Sequence, residues 1–187
     1  MCNEFRFQAA LDEILDAFNR LRIDVDWEGG APNLEPRASI RPTDKAFVLA
    51  GRDGGGARLA DMPWGFPGPR GPVINFRLEG RRFPSGRCLV PLTGFYEFTK
   101  DSDRPKGPKS KWLFEAADGG FLCVAGLVRE SRFTLLTCAP GPDVGAYHDR
   151  QVALLPRALW GDWLDSRRPQ PPLGPVPAGT LKVTRVR

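Results

Sequence analysis

Short apolar runs bounded by turn residues dominate the second half of this chain and limit the folds that it can adopt. Between residues 73 and 156 the runs are VIN, RCLVPL, GFYEF, KWLFE, FLCVAGLV, FTLLT and VALLP. Runs of this length that are rich in Val, Leu and Phe are typical of strands. We therefore predict a β-rich α+β fold built on a partly closed antiparallel sheet or barrel.

A few peripheral helices complete the predicted fold. Residues 8–22 place a set of apolar side chains on one helical stripe: Leu11, Ile14, Leu15, Phe18 and Leu21. The run PRALWGDWLD predicts a short helix with proline at its start. The strand-like AFVLA is followed by GRDGGG, which predicts a hairpin turn.

The length of 187 residues suits a single domain that can bury a core. We expect one domain over residues 1–187, with a core from about residue 2 to 165. A proline-rich tether would follow at 166–179, and LKVTRV predicts a final strand within 180–187. We expect a monomer, because the sequence contains no oligomerisation motif.

The composition bears on location and cofactors. The chain has no apolar run of the ~20 residues that a membrane span needs, and acidic residues interrupt its N-terminal apolar segment, unlike a signal peptide. We therefore expect a cytoplasmic protein without a membrane partner. The four cysteines are scattered, so we expect free thiols and neither a zinc site nor another cofactor.

The chain carries a positive net charge. Its 27 Lys and Arg residues exceed its 22 Asp and Glu residues, which gives a formal charge of +5. Basic proteins attract polyanions such as nucleic-acid backbones. A mildly basic protein without such a partner fits the charge equally well.

Two side chains in strand-like contexts are candidates for acid–base chemistry. His148, the single histidine, stands at the polar start of an apolar run, although a lone histidine is more often structural. Glu97 lies among the aromatic residues of GFYEF. It either faces solvent in the period-two alternation or is a partly desolvated carboxyl with a raised pKa.

Asn75 and Arg77 share one face of a predicted strand. The Arg77 guanidinium could hold a phosphate, although a solvated arginine is the ordinary outcome. Asn75 could equally cap a strand or a turn.

Cys2 follows the initiator methionine directly. A small second residue generally permits removal of Met1, which would leave an amine with a pKa of about 7.7–8.0 beside a thiol with a pKa of about 8.5. Such an amine adds to an aldehyde to form an imine, and the tethered thiol then closes a five-membered thiazolidine ring. Alternatively, Cys2 is a buried small residue.

An ordered series of blocks resembles the SOS-response-associated peptidase (SRAP) family, the abasic-site-processing proteins. The resemblance runs from residue 2 to about 165 and is carried by MC, WGF (64–66), INFRLEG (74–80), RCLVPLTGFYEF (87–98), FLCVAGLV (121–128), FTLLTCA (133–139) and HDRQVALL (148–155). It implies that Cys2, after Met1 removal, crosslinks as a thiazolidine to the aldehyde of an abasic site in single-stranded DNA. The crosslink would shield the lesion from strand cleavage, in keeping with the DNA-damage response in the family's name.

The resemblance also assigns roles to other residues. Asn75 would position the N-terminal cysteine or the sugar, and Glu97 would protonate the sugar oxygen and move protons during imine formation. His148 would hydrogen-bond to the opened sugar, and Arg77 would contact phosphates beside the lesion. Glu79 would at most support this group.

Two aromatic residues, Trp64 and Phe98, fit stacking platforms beside the unpaired site, although core packing explains them equally well. The sequence also departs from the family pattern, at Asn3 and Glu4 (usually Gly-Arg), Ser39, Phe76 (usually Ala), Phe98 (usually Trp) and Val152 (usually Pro). These changes leave Cys2 and the acid–base residues in place.

Two alternative functions remain open. Cys2 and His148 could form the pair of a thiol peptidase that acts on its own N-terminus. The chain could also be a non-catalytic module that binds single-stranded DNA through its charge and aromatic side chains. We rank the crosslinking enzyme first and the peptidase second.

Overall fold

The structure, a computed structural model, describes residues 2–100 and 106–187, so Met1 and its removal lie outside the described residues. The strands are β1 (Phe5–Phe7), β2 (Val25–Asp26), β3 (Arg37–Ile40), β4 (Lys45–Gly51), β5 (Ala57–Pro63), β6 (Asn75–Arg77), β7 (Arg87–Leu92), β8 (Gly94–Thr99), β9 (Ser110–Ala116), β10 (Leu122–Arg129), β11 (Arg132–Cys138), β12 (Gln151–Val152) and β13 (Leu181–Arg185). The helices are α1 (Leu11–Arg20), α2 (Pro142–Gly145) and α3 (Trp160–Leu164). The predicted β-rich α+β class is confirmed.

The strands form two sheets. The five-stranded sheet has the order β13-β9-β8-β1-β3, and the larger sheet has the order β12-β11-β10-β7-β4-β5-β2, with β6 also paired to β11. Within the described residues neither sheet closes on itself, so the expected partial barrel is replaced by two open sheets. Most pairs are antiparallel as predicted, but β6–β11 and β2–β5 are parallel.

The middle of the larger sheet explains why its strands are so apolar. All six residues of β7 are buried, and this strand lies between β10 and β4. A strand that is covered on both faces has no solvent side, so it shows a continuous apolar run rather than an alternation. Arg87, at the start of β7, is buried, and its Nε donates a hydrogen bond of 2.6 Å to the Phe83 carbonyl, which offsets part of the cost of desolvation.

The helices pack their apolar stripes against this core. Helix α1 begins three residues later than predicted and buries Ile14, Ala17 and Phe18. The Phe18 ring stacks on Trp160 of α3, with 4.9 Å between the ring centroids. A 3-10 turn at Arg157–Leu159 precedes α3, so the predicted proline-led helix begins as this tighter turn.

Several short elements differ from the sequence prediction, including β2 and α2, which were not predicted. Strand β3 lies within a proline- and glycine-rich stretch for which no strand was predicted, and β1 was also missed. Conversely, VALLP contributes only its first residue to a strand, β12. Strand β1 pairs with both β3 and β8, partners that are distant in sequence. Local patterns cannot indicate such strands, because tertiary pairing stabilises them.

The C-terminal strand β13 pairs antiparallel with β9, with Leu181 opposite Ala116. The proposed division into core, tether and final strand stays a prediction. No helix in the described ranges 2–100 and 106–187 is long and apolar enough to cross a membrane.

Candidate active site

Cys2 lies three residues before β1, the strand between β8 and β3 in the smaller sheet. The register of β1 against β8 pairs Phe5 with Phe95, so the chain N-terminal to β1 runs antiparallel toward the end of β8 that carries Glu97. The Tyr96 amide donates a 2.9 Å hydrogen bond to the Glu4 carbonyl and extends this pairing. Cys2 is 1% exposed, and its thiol donates to the same carbonyl over 3.4 Å. Burial, and then the nearby Glu97, raise the pKa of the Cys2 thiol.

Asn75 connects Cys2 to the larger sheet. It begins β6, which runs parallel to β11 with Asn75 opposite Leu135. Its side-chain Nδ2 donates a 2.8 Å hydrogen bond to the Cys2 carbonyl oxygen. Its Oδ1 is buried and has no hydrogen-bond partner among the described residues. Asn75 therefore fixes the Cys2 backbone and keeps one acceptor available to a ligand.

Glu97 lies in β8 beside this cysteine and is 1% exposed. Burial raises the pKa of the Glu97 carboxyl to about 7. A carboxyl that titrates near neutrality can both donate and accept a proton under physiological conditions. The desolvated alternative therefore describes Glu97, and the solvent-facing one does not.

His148 approaches the same carboxyl from the loop after α2. Its Nε2 lies 3.9 Å from Glu97 Oε2, and its own amide donates 3.0 Å to the Val144 carbonyl. Burial lowers the pKa of the imidazole. The ring is therefore neutral near pH 7, and its Nε2 faces Glu97.

The two neighbours of His148 Nδ1 require different protonation states. The Arg150 amide donates to Nδ1 over 3.0 Å, whereas Asp149 Oδ1 lies 2.7 Å from the same nitrogen. The first contact needs a lone pair on Nδ1 and the second needs a proton there. Because the lowered pKa favours the neutral ring, we assign its proton to Nε2, and Asp149 would pair with the imidazolium.

Arg77 and Glu79 occupy the exposed end of the same segment. Arg77 is exposed at the end of β6, two residues beyond Asn75. Glu79 forms a two-bond ion pair with Arg150, with 3.0 Å between Nη2 and Oε2, and this pairing lowers the pKa of Glu79. Arg150 also donates 2.8 Å to the Thr137 carbonyl. Glu79 thus helps to fix the loop that carries His148.

The two proposed aromatic platforms have different surroundings. Trp64 is 0% exposed, donates its indole N–H over 2.9 Å to the Ile74 carbonyl, and packs on Phe5 with 5.0 Å between ring centroids. This placement supports the core-packing alternative for Trp64. Phe98 is half-buried and lines a pocket of about 280 Å³ together with Asn3, Arg41, Lys111 and Arg187.

The family can be decided by comparison with known proteins. The family model described as SOS response associated peptidase (SRAP) matches residues 1–187. The chain belongs to the SRAP family. The Bacillus subtilis abasic site processing proteins YoaM and YobE are 25% and 26% identical to it, each over 91% of this chain and over 82% and 85% of their own lengths.

Solved structures show the same fold. A phage-related protein from Bordetella bronchiseptica aligns with a TM-score of 0.73 at 22% identity, over 100% of this chain and 94% of its own. A protein from Bacteroides thetaiotaomicron aligns with a TM-score of 0.73 at 15% identity, over 100% and 92% of the two chains.

Glu4 was named from the sequence as a departure from the family pattern but was given no role in the site. Its carboxylate is buried and accepts 2.7 Å hydrogen bonds from both Ser39 Oγ and Lys111 Nζ. Burial alone would raise the pKa of Glu4, but these two donors outweigh it and lower the pKa. The signal was present in the sequence, because position 4 departs in charge from the SRAP pattern.

Two other residues that depart from the SRAP pattern, Val152 and Phe76, pack against neighbouring side chains. Val152 is buried in the core. The Phe76 ring lies edge-on to Phe66, with 6.3 Å between centroids, and the Arg81 guanidinium lies 5.7 Å from the Phe76 centroid.

Among residues 2–100 and 106–187, no three or more His, Cys, Asp or Glu side chains are grouped so that they could hold a metal ion.

The burial of Trp64 leads to a stability prediction. We expect Trp64→Ala to lower the free energy of unfolding by about 3–5 kcal/mol, because it removes a fully buried ring and leaves a cavity. Urea denaturation followed by circular dichroism measures the change. Phe98→Ala is the matched aromatic control and should cost less than about 1.5 kcal/mol, because its ring is partly exposed. An unchanged midpoint for Trp64→Ala would contradict the core role.

Proposed function

We propose that this SRAP protein processes abasic sites in single-stranded DNA by forming a thiazolidine crosslink through Cys2 after Met1 is removed. The observation that carries the proposal is the anchoring of Cys2 by Asn75 next to a buried carboxyl that titrates near pH 7. The names of the Bacillus subtilis relatives support the same substrate class.

The first step opens the sugar of the abasic site. Glu97, in its protonated form, donates a proton to the ring oxygen. The anomeric hydroxyl then gives its proton to the resulting Glu97 carboxylate as the C1′ aldehyde forms, so Glu97 ends the step protonated. His148 hydrogen-bonds to the opened sugar. The near-neutral pKa of Glu97 suits this step, because both of its protonation states are populated.

The second step forms an imine. The α-amine of Cys2 attacks the aldehyde carbon and gives a carbinolamine. Protonated Glu97 then donates to the departing hydroxyl, so that water leaves and an iminium ion remains beside the Glu97 carboxylate. Asn75 holds the Cys2 carbonyl throughout, which keeps the amine oriented toward the aldehyde.

The third step closes the ring. The Glu97 carboxylate accepts the thiol proton of Cys2, and Sγ forms a bond to the iminium carbon. The product is a neutral thiazolidine, the single by-product is water, and Glu97 is protonated again. Because burial raises the pKa of the thiol, its deprotonation depends on this carboxylate.

The DNA contacts follow from the exposed side of the site. We assign a phosphate beside the lesion to Arg77, whose guanidinium can form paired hydrogen bonds with phosphate oxygens. We assign a stacking position beside the missing base to the partly exposed ring of Phe98.

The geometry supports a thiol peptidase less well. A thiol peptidase needs a thiolate, which is formed where neighbouring positive charge lowers the cysteine pKa. Here burial raises the pKa of Cys2, and the thiol donates its hydrogen bond to the Glu4 carbonyl. His148 Nε2 faces Glu97 rather than serving as an evident base for Cys2.

The proposal is tested by aldehyde dependence. Purified protein is incubated with a single-stranded oligonucleotide that carries one natural abasic site and is analysed on a denaturing gel. We expect a shifted band that resists boiling. The matched oligonucleotide has a tetrahydrofuran abasic analogue, which has no aldehyde, and should give no shifted band. Equal bands with both oligonucleotides, or none with either, would contradict the proposal.

A further inference from the structure

A cationic cleft lies outside the residues assigned to the chemistry. We call it the arginine cleft: Leu78, Gly80, Arg81 and Arg82 form one wall, and residues 169–173 form the other. Its volume is about 620 Å³. Two arginines and no acidic residue line it, so its charge suits an anion.

A tight turn places the arginines of the first wall. The Arg81 amide donates 3.1 Å to the Leu78 carbonyl, and Gly80 adopts a φ of +69° that favours glycine. This turn folds the chain back so that the Arg81 guanidinium lies 5.7 Å from the Phe76 ring centroid. The aromatic face orients the guanidinium without neutralising its charge. Phe76, bulkier than the usual SRAP residue, therefore supports the cleft.

The proline-rich wall is anchored to the core. Gln170 Oε1 accepts a 2.9 Å hydrogen bond from the Phe83 amide. The buried Arg87 side chain donates to the carbonyls of both Phe83 and Arg168, at 2.6 and 3.3 Å. Three prolines in residues 169–173 further restrict the backbone. The cleft therefore needs little ordering before it binds a ligand.

The charge of the arginine cleft is available to a ligand. Among the described residues, neither Arg81 nor Arg82 forms an ion pair, and both are exposed. The nearest acidic residue in sequence, Glu79, is already paired with Arg150. Two guanidinium groups therefore face solvent, and no carboxylate of the described residues lies within ion-pair distance of them.

We propose that the arginine cleft binds the phosphate backbone of the DNA arm on one side of the abasic site. This inference rests on the proposed function, since it continues a path that begins at Arg77. Arg82 follows Arg77 by five residues, which span at most ~18 Å of chain. The turn at Gly80 shortens this path, so at ~3.4 Å per nucleotide of a stacked strand it covers fewer than about five nucleotides of one arm. Leu78 and the prolines offer apolar surface to the sugars between the phosphates.

The test measures equilibrium binding without crosslinking. Fluorescence anisotropy follows binding of oligonucleotides that carry a tetrahydrofuran analogue at the centre or near either end. We expect Arg81→Ala/Arg82→Ala to weaken binding of the central-lesion oligonucleotide about tenfold. We also expect the negative slope of log K against log[salt] to become about 1.4 less steep. Each lost single-strand phosphate contact removes about 0.7 from the size of this slope.

The end-lesion oligonucleotides identify the arm. The double variant should bind one end-lesion oligonucleotide about tenfold more weakly, as it does the central-lesion oligonucleotide. Its affinity for the second end-lesion oligonucleotide, which lacks the bound arm, should be unchanged. Arg20→Ala/Lys182→Ala removes the same charge from exposed positions that do not line the cleft, and it should leave binding to all three unchanged. Equal losses on both end-lesion oligonucleotides, or none on any, would overturn the proposal. Failure of the crosslinking chemistry would not affect this measurement, because the analogue carries no aldehyde.

Discussion

Cys2→Ala is expected to form no boiling-resistant adduct with single-stranded DNA that carries a natural abasic site. Alanine at position 2 also permits Met1 removal, so the variant keeps an α-amine and loses only Sγ. It can therefore form the imine but cannot close the thiazolidine, and the imine hydrolyses when the protein is denatured. A denaturing gel measures the loss, which should be complete.

A reductive trap separates the two bond-forming steps. Sodium borohydride added during the incubation should convert the imine of Cys2→Ala into a stable secondary amine, which appears as a shifted band. Cys123→Ala, which removes another buried thiol, is the matched control and should crosslink like the parent. A boiling-resistant adduct of Cys2→Ala without borohydride would show that Sγ takes no part in the final product.

Thermal unfolding of the same variants checks their integrity. Cys2 is buried, so its replacement removes one packed sulfur and should lower the free energy of unfolding by about 1 kcal/mol. The Asn75 bond to the Cys2 carbonyl involves the backbone and is retained by alanine. Loss of the adduct from a folded protein would then report on chemistry rather than on stability.

Glu97→Gln is expected to slow crosslinking by at least about 100-fold and to change its pH dependence. In the proposed mechanism the parental reaction needs protonated Glu97, with a pKa of about 7, and an unprotonated amine, with a reference pKa of about 7.7–8.0. Its rate should therefore pass through a maximum between about pH 7 and 8. Glutamine cannot titrate, so the variant should lose the alkaline decline and its rate should rise to a plateau above about pH 8.

The measurement is the single-turnover rate of adduct formation from about pH 5.5 to 9. Glu13→Gln, on the exposed side of α1, is the matched control and should keep the parental rate and pH maximum. A Glu97→Gln profile that retained the alkaline decline would assign that limb to another group. An unchanged rate would remove Glu97 from the mechanism.

The same carboxyl links stability to pH. Because its pKa is raised in the folded state, the native protein binds the Glu97 proton more tightly than the unfolded chain does. The resulting stabilisation is complete below about pH 4.5 and is lost as the pH rises through about 7. The rise of the Glu97 pKa from 4.5 to about 7 corresponds to a loss on the order of 3 kcal/mol in the free energy of unfolding. Glu97→Gln should remove this contribution to the pH dependence of the denaturation midpoint.

The class of the fold could be predicted from local sequence because the central strands are buried on both sides. RCLVPL and FLCVAGLV form adjacent strands of the larger sheet, and continuous apolar runs are the direct consequence of that burial. Helix α1 was equally accessible, since its apolar residues recur with the helical period. These patterns arise because each strand or helix buries apolar side chains in the core. They do not depend on which other strand or helix it packs against.

The sequence could propose residues for the candidate site but could not indicate their surroundings. The resemblance to the SRAP family selected Cys2, Asn75, Glu97 and His148, yet no local pattern distinguishes a solvent-facing Glu97 from a buried one. The structure decides this, because β8 pairs with β9 and the Glu97 carboxyl faces the interior near His148. The pKa of about 7 follows from that burial.

By itself, the sequence determined the β-rich class and the helix of α1, and it proposed the residues for aminothiol and acid–base chemistry. Only the tertiary structure decided that Trp64 packs in the core, that Glu4 pairs with Lys111, and that β1 lies between β3 and β8. The physical reason is the range of the interactions. Periodicity and residue type reflect local geometry, whereas burial, ion pairing and pKa shifts depend on side chains that come from distant parts of the chain.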